Sequence, residues 1–226
     1  MKFLLFLMLI IIGCSNSESQ KPNKSNDDIV NKMLEQLNKD YNEVKGFFNK
    51  DFVSHFPDKV DTNVLRLSDC TSEESTRFDL INLFLTNRIP EEKLDMTIKM
   101  FEKKSNKIFK ATDTCLLVVN RFVNEERFGV DFALDSHELK NISKKCYDNK
   151  LPIPNFWGSK FTTPETECKI SKDFKIYVFD AKPGKFLEDK YLTSGEYMPK
   201  SWRNGFSKGV AISQEKKIII FWVVIW

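Results

Sequence analysis

Histidine is scarce in this sequence, which has two histidines among its 226 residues. No CxxC pair occurs, and neither histidine stands at zinc-ligand spacing from a cysteine, so we expect no metal site. A glycine-rich phosphate loop, a G-x-S-x-G nucleophile elbow and an internal repeat are also missing. The sequence therefore predicts no cofactor and offers no recognisable catalytic motif.

An excess of charge of one sign is missing as well. Lys and Arg total 35 and Asp and Glu total 32, which gives a formal net charge of +3 at pH 7. The two signs are interspersed along the chain, whereas a nucleic-acid-binding surface needs clustered basic residues. We therefore expect no nucleic-acid partner.

The start of the chain carries the most specific signal. Met1-Lys2 precedes an apolar run from Phe3 to Ile12, and Gly13-Cys14 ends that run. One positive charge before a short apolar stretch is typical of an export signal, and the stretch is shorter than the roughly 20 residues of a spanning helix. The segment resembles the lipobox of bacterial lipoproteins, in which two aliphatic or small residues and a Gly or Ala precede a Cys. Those positions are Ile11, Ile12, Gly13 and Cys14.

The resemblance implies that residues 1–13 are a signal peptide and that Cys14 receives lipid. Several acyl chains are needed for stable attachment to a membrane, because a single chain binds only marginally. In this family Ser15 is a cue for the outer membrane, and the periplasmic or surface face stays open. We expect a lipid-anchored protein of the bacterial cell envelope. The alternative is an ordinary secreted protein in which Cys14 lies near the cleavage site by chance.

Residues 14–28 have the composition of a tether. After Cys14 they include no large apolar residue, so we expect a flexible connection. Residues 29–226 are numerous enough to bury a sizeable core, and we predict that they form a single globular domain.

The four remaining cysteines are candidates for disulfides. They are Cys70, Cys115, Cys146 and Cys168. An even number in an exported chain favours disulfides, because the periplasm and the exterior are oxidising. Of the three possible pairings we favour Cys146 with Cys168 and Cys70 with Cys115. The alternative is a set of four buried or free thiols.

The N-terminal half of the predicted domain has mainly helical patterns. Apolar residues recur every three or four positions from Ile29 to Phe48, which predicts a helix. Thr71-Ser-Glu-Glu74 fits a capping box, so we predict a second helix that carries Phe78, Ile81, Phe84 and Leu85 to the core. Pro90 is well placed as the first residue of a third helix. A short strand at Asn63 to Leu67 is the exception.

The C-terminal half has mainly strand patterns. We predict strands at Cys115 to Val119, Phe128 to Leu134 and Phe174 to Phe179, followed by a hairpin of Gly209 to Ser213 with Ile218 to Trp226. Helices early and strands late predict an α+β fold, with a helical N-terminal half packed on a mainly antiparallel β-sheet.

The histidines are the natural catalytic candidates, because their side chains titrate near neutral pH. His55 stands alone, whereas His137 belongs to the cluster Asp135-Ser-His-Glu138. Sequence neighbours in a turn rarely point at a common atom, and a nucleophile must lie within hydrogen-bonding reach of its base. A solvated loop explains the cluster equally well, so we assign no catalytic residue.

An aromatic loop near the C-terminus is the better candidate for binding. It contains Tyr197, Trp202, Arg203 and Phe206 among turn-forming residues. Trp, Tyr and Arg dominate interaction hot spots, so this loop could hold a partner protein or a sugar. The alternative is that the rings pin the loop onto the sheet.

These observations favour a membrane-anchored envelope protein that acts as a non-enzymatic binding module for an envelope protein, a foreign protein or a glycan. Immunity-type proteins that neutralise toxins belong to this class. One alternative is an envelope hydrolase acting on peptidoglycan, glycan or peptide, in which a histidine faces a carboxylate or hydroxyl from a distant segment. The other is a structural component of the envelope.

Overall fold

The computed structural model describes residues 24–72, 80–127, 132–192 and 197–226. The predicted signal peptide and Cys14 lie outside these residues. Helix α1 spans Lys24–Phe47, so it begins within the last residues of the predicted tether.

The described residues form an α+β fold around a six-stranded antiparallel sheet. The strands are β1 (Val64–Cys70), β2 (Ile81–Arg88), β3 (Lys107–Lys110), β6 (Phe174–Pro183), β7 (Gly205–Ser213) and β8 (Ile218–Ile225). Their order across the sheet is β1-β2-β8-β7-β6-β3. A separate parallel pair joins β4 (Val118–Val119) to β5 (Ile153–Pro154). The other helices are α2 (Lys50–Val53), α3 (Glu91–Lys104) and α4 (Ser136–Leu139).

Strand β8 is buried along its whole length. Its side chains alternate between two apolar clusters, because successive residues of a strand point to opposite faces. Ile219, Phe221 and Val223 belong to the cluster that includes the helices. Trp222 and Val224 belong to the cluster on the other face. A strand of this kind needs a covering layer on each side, which explains its continuous apolar sequence.

The first three helices cover one face, which we call the helical face. α1 contributes Tyr41 and α3 contributes Leu94, Ile98 and Phe101 to the cluster against β8. The N-terminal part of α1 does not reach the sheet. Ile29 and Met33 are more than half exposed, although their spacing places them on the predicted apolar face.

The opposite face of the sheet, which we call the loop face, is covered by residues 111–127 and 132–170. We call these residues the covering segment. Leu116, Ile153, Phe156 and Ile170 pack there against the sheet. A disulfide between Cys115 and Cys146 joins two parts of this segment, with 6.2 Å between the Cα atoms.

The disulfide shows that our favoured pairing is wrong. Because Cys115 and Cys146 are bonded to each other, neither Cys70 nor Cys168 has its predicted partner. Cys168 is a fully buried thiol whose Sγ lies 4.0 Å from Thr166 Oγ1, and burial raises its pKa to about 11. Cys70 is buried at the end of β1. The spacing of cysteines along the chain does not show which ones the covering segment brings together.

The prediction of a helical N-terminal half is corrected by β2, whereas β1 contains most of the short strand predicted at Asn63 to Leu67. The predicted helix after Thr71 falls partly on residues 73–79, outside the described residues, and Ile81 to Leu85 form β2 instead. Ile81, Leu83 and Leu85 also fit a strand period, and pairing with β1 and β8 on either side selects that reading. Phe132 to Leu134 lie in no strand, and residues 128–131 are not described.

The C-terminal hairpin is confirmed, and its two strands make a close contact at Gly209. Gly209 of β7 lies opposite Trp222 of β8. A Cβ atom added at Gly209 would lie 2.1 Å from the Tyr177 carbonyl oxygen and 2.7 Å from the Trp222 ring. The indole of Trp222, which is fully buried, occupies the space that a side chain at position 209 would need.

Candidate functional site

His55 is a core residue rather than a residue of an open site. Its ring lies 4.6 Å from Phe56 and 5.3 Å from Phe179 between ring centroids, and its Nε2 is 2.9 Å from the Trp222 carbonyl oxygen. Burial lowers the pKa of His55 to about 3, and the positive charges of Lys208 and Lys104 also lower it. The side chain is therefore neutral near pH 7.

His137 lies on the exposed side of α4. The cluster around it is a helix cap, in which the Asp135 carboxylate accepts hydrogen bonds from the backbone N–H groups of His137 and Glu138. Glu138 in turn pairs with Arg127 at 2.6 Å, and that hydrogen bond lowers the pKa of Glu138. Neither histidine ring hydrogen-bonds to a carboxylate or hydroxyl within the described part of the chain. The geometry a histidine-dependent hydrolase requires is not observed among those residues.

The four residues of the predicted binding loop do not share one surface in the structure. Phe206 is buried on the helical face, with its ring 4.9 Å from Phe52 and 4.6 Å from Phe186. Tyr197 is half-buried and donates a hydrogen bond to the Phe132 carbonyl at 3.2 Å. Trp202 is half-buried against the loop-face cluster, and Arg203 is exposed. Two of the rings thus hold the loop in place, and Trp202 and Arg203 are left with surface to offer a partner.

A cleft of about 330 Å³ opens on the loop face, between β1, β2 and the covering segment. We call it the β1–β2 cleft. Its apolar lining includes Leu80, Phe84, Val119, Phe156, Ile220 and Val224. The volume and the apolar lining are typical of small-molecule sites.

Alternate residues of β1 and β2 place polar groups in the same cleft. Arg66 and Ser68 of β1 line it, and the sheet register sets Arg66 beside Thr86 of β2. None of these three side chains makes a hydrogen bond or an ion pair within the described residues. Asp69 also lines the cleft, but its carboxylate already accepts a hydrogen bond from Thr71 at 3.1 Å. Burial raises the pKa of Asp69.

The opposite wall of the cleft is held rigidly by Asn155. Its amide nitrogen donates to the carbonyl oxygens of Asn120 at 2.9 Å and Val123 at 2.8 Å. Its amide oxygen accepts from the backbone N–H of Trp157 at 3.0 Å. Because Asn155 is buried and its bonds are made within the protein, it holds the backbone at Trp157, a residue that lines the cleft. A preorganised wall reduces the conformational entropy that the protein loses when a ligand binds.

This cleft is hard to recognise from the amino-acid sequence. The one indication of it in the sequence is that polar residues stand at alternate positions in two apolar strands. These residues are Arg66 and Ser68 in β1 and Asn82 and Thr86 in β2. Such alternation is usual for a strand with one solvated face. The covering segment, which turns that face into a cleft, is too irregular to be placed from its sequence.

Comparisons with protein-family models, with curated proteins and with solved structures each found no match to the chain. Among the described residues, no group of three or more His, Cys, Asp and Glu side chains could hold a metal ion. In the same part of the chain, no helix is long and apolar enough to cross a membrane. A functional proposal therefore depends on the geometry of the cleft and on the N-terminal sequence.

We predict that His55 makes the protein less stable as the pH falls. The unfolded chain takes up a proton near the ordinary histidine pKa of 6.5, whereas the folded protein does not until about pH 3. The free energy of unfolding should therefore fall by about 2 kcal/mol from pH 7 to pH 5, above the range in which carboxylates titrate. Denaturant titrations at several pH values measure this.

The His55→Gln variant should lose this dependence on pH, whatever its absolute stability. The matched control is His137→Gln, which removes the exposed histidine and should keep the dependence. A native protein whose stability is constant between pH 7 and pH 5 would show that His55 is not held neutral.

Proposed function

We propose that this chain is a lipid-anchored binding protein of the bacterial cell envelope, and that its ligand occupies the β1–β2 cleft. The observation that carries the proposal is a set of three polar side chains, Arg66, Ser68 and Thr86, which have no partner among the described residues and lie beside an apolar lining on the sheet. Polar groups placed in this way fix a ligand's orientation, while the apolar lining supplies affinity.

The chemistry of the cleft favours a small ligand with an anionic group and an apolar body. A guanidinium binds a carboxylate or a phosphate with two parallel hydrogen bonds, and the neighbouring hydroxyls of Ser68 and Thr86 add donors. The apolar body would contact Phe84 and Phe156, whose rings lie 6.1 Å apart between centroids. No catalytic step is needed for this function.

The N-terminal sequence supports the location. The lipobox positions end at Cys14, and α1 begins at Lys24, ten residues later. A tether of this length keeps the described residues close to a membrane while the cleft stays in the aqueous phase. The proposal also includes two predictions about the fold. All residues from 29 to 226 form a single domain, and the helices pack on the sheet as one unit.

The anchor is tested by the Cys14→Ala variant. It should appear in the soluble fraction of cells or remain as an unprocessed precursor, because no residue then accepts lipid. Fractionation and intact-mass measurement of the native protein and the variant measure this. A Ser15→Ala variant is the matched control and should stay lipidated. A Cys14→Ala protein that has the same mass and membrane partition as the native protein would contradict lipid anchoring.

The cleft is tested with the fluorescent anion 1-anilinonaphthalene-8-sulfonate, which combines a sulfonate with an apolar body. The chain without residues 1–13 and with Cys14→Ala avoids binding of the dye to lipid. We expect one saturable site, and about tenfold weaker binding in Arg66→Ala, because a hydrogen bond to a charged group contributes about 1.5–3 kcal/mol. Fluorescence titration measures the affinity.

Two further variants make this experiment specific. Thr86→Val keeps the shape of a buried side chain and removes only its hydroxyl, so it should weaken binding by a smaller factor. Arg88→Ala removes an exposed arginine of the same strand pair that does not line the cleft, and it should bind as the native protein does. If Arg66→Ala and Arg88→Ala bind the dye equally well, the cleft is not the site.

A further inference from the structure

A second cavity, of about 380 Å³, lies between residues 143–149 and residues 199–202. Its polar and aromatic lining includes Lys144, Tyr147, Asp148, Asn149, Ser201 and Trp202. We call it the Trp202 cavity. It contains none of the residues that line the β1–β2 cleft, so its role is independent of the function proposed above.

One wall of the Trp202 cavity is fixed by the covering segment. Cys146 is bonded to Cys115, and the next residue, Tyr147, is buried. The Tyr147 hydroxyl donates to the Asn141 carbonyl at 3.1 Å, and the Arg121 guanidinium lies 5.3 Å from the centre of its ring. Asn149 follows with a φ of +64°, a left-handed conformation that Asn and Gly tolerate. These contacts set the backbone that presents Lys144, Asp148 and Asn149.

The other wall is fixed by the end of the sheet. The Trp202 carbonyl accepts a hydrogen bond from the indole nitrogen of Trp226 at 2.8 Å, and the two rings lie 6.2 Å apart between centroids. The Trp202 backbone N–H donates a hydrogen bond to the Pro199 carbonyl oxygen at 2.7 Å. One side of the Trp202 ring is therefore supported by a fully buried tryptophan, while the residue remains only half-buried.

Four polar side chains that line the Trp202 cavity are available to a ligand. The side chains of Lys144, Asp148, Asn149 and Ser201 make no hydrogen bond or ion pair within the described residues. They include a cation, an anion, an amide and a hydroxyl, and so supply both donors and acceptors. A polyanion would be repelled by Asp148 and a polycation by Lys144. The set suits an uncharged ligand rich in hydroxyl groups.

We propose that the Trp202 cavity binds a sugar unit of an uncharged glycan. One face of a pyranose ring consists of C–H groups that pack against an aromatic ring, and its hydroxyls both donate and accept hydrogen bonds. Trp202 supplies the aromatic surface, and Asp148, Asn149 and Ser201 supply the hydrogen-bonding groups around it. Because both walls are fixed before the ligand arrives, little ordering entropy is lost on binding.

Calorimetric titration of the full-length protein in detergent with three uncharged trisaccharides tests the proposal. The probes are chitotriose, cellotriose and maltotriose. We expect saturable binding of at least one of them. Trp202→Ala should weaken that binding by tenfold or more, and Trp202→Tyr, which keeps an aromatic surface, should restore most of it.

Because Trp202→Ala also removes a contact with Trp226, a second variant is made at the exposed residue Asn149. Asn149→Gly keeps the left-handed backbone and removes the amide, and it should weaken binding severalfold without loss of fold. Asn42→Ala, which removes an exposed amide on α1, is the matched control and should bind as the native protein does. The proposal is overturned if none of the three sugars binds, or if Asn149→Gly and Trp202→Ala bind as tightly as Asn42→Ala.

Discussion

The burial of β8 on both faces is the constraint on which the rest of the structure depends. All eight residues of the strand are buried, and they alternate between the helical face and the loop face. A sheet with such a strand near its centre exposes apolar surface on both sides until each side is covered. The chain meets this requirement with two different layers, helices from its N-terminal part and an irregular segment closed by a disulfide.

The two layers explain where the proposed sites lie. The helices cover their face with long apolar side chains, and even His55 is enclosed there in its neutral form. The covering segment is irregular and fits the sheet less continuously. The β1–β2 cleft forms where this segment meets the polar residues of the edge strand, and the Trp202 cavity forms where it meets the C-terminal loop. Both sites thus combine a backbone held by the fold with several polar side chains that make no hydrogen bond or ion pair among the described residues.

Strong local patterns made part of this fold predictable. Two elements can be identified without knowledge of what they pack against. Strand β8 has a continuous apolar run after a turn, and α1 has apolar residues at a helical period. Between Ile81 and Leu85 the apolar residues fit both a helix and a strand, and only the pairing with β1 and β8 decides between them. The Cys115–Cys146 bond and the β1–β2 cleft depend on the path of the covering segment, which has little periodicity. Phe206 could not be recognised as a core residue, because the turn-forming residues before it hide the start of β7.

Gly209 offers the most direct test of the two-sided packing of β8, because the Trp222 indole fills the space above it. The measurement is the free energy of unfolding of Gly209→Ala compared with that of Gly46→Ala, whose added methyl group meets no atom within 4 Å. We expect Gly209→Ala to lose at least about 3 kcal/mol or to accumulate no folded protein. Gly46→Ala, near the end of α1, should change stability by no more than about 1 kcal/mol, in the stabilising direction. A Gly209→Ala protein as stable as Gly46→Ala would contradict the packing of Trp222 against β7, and with it the account of the core.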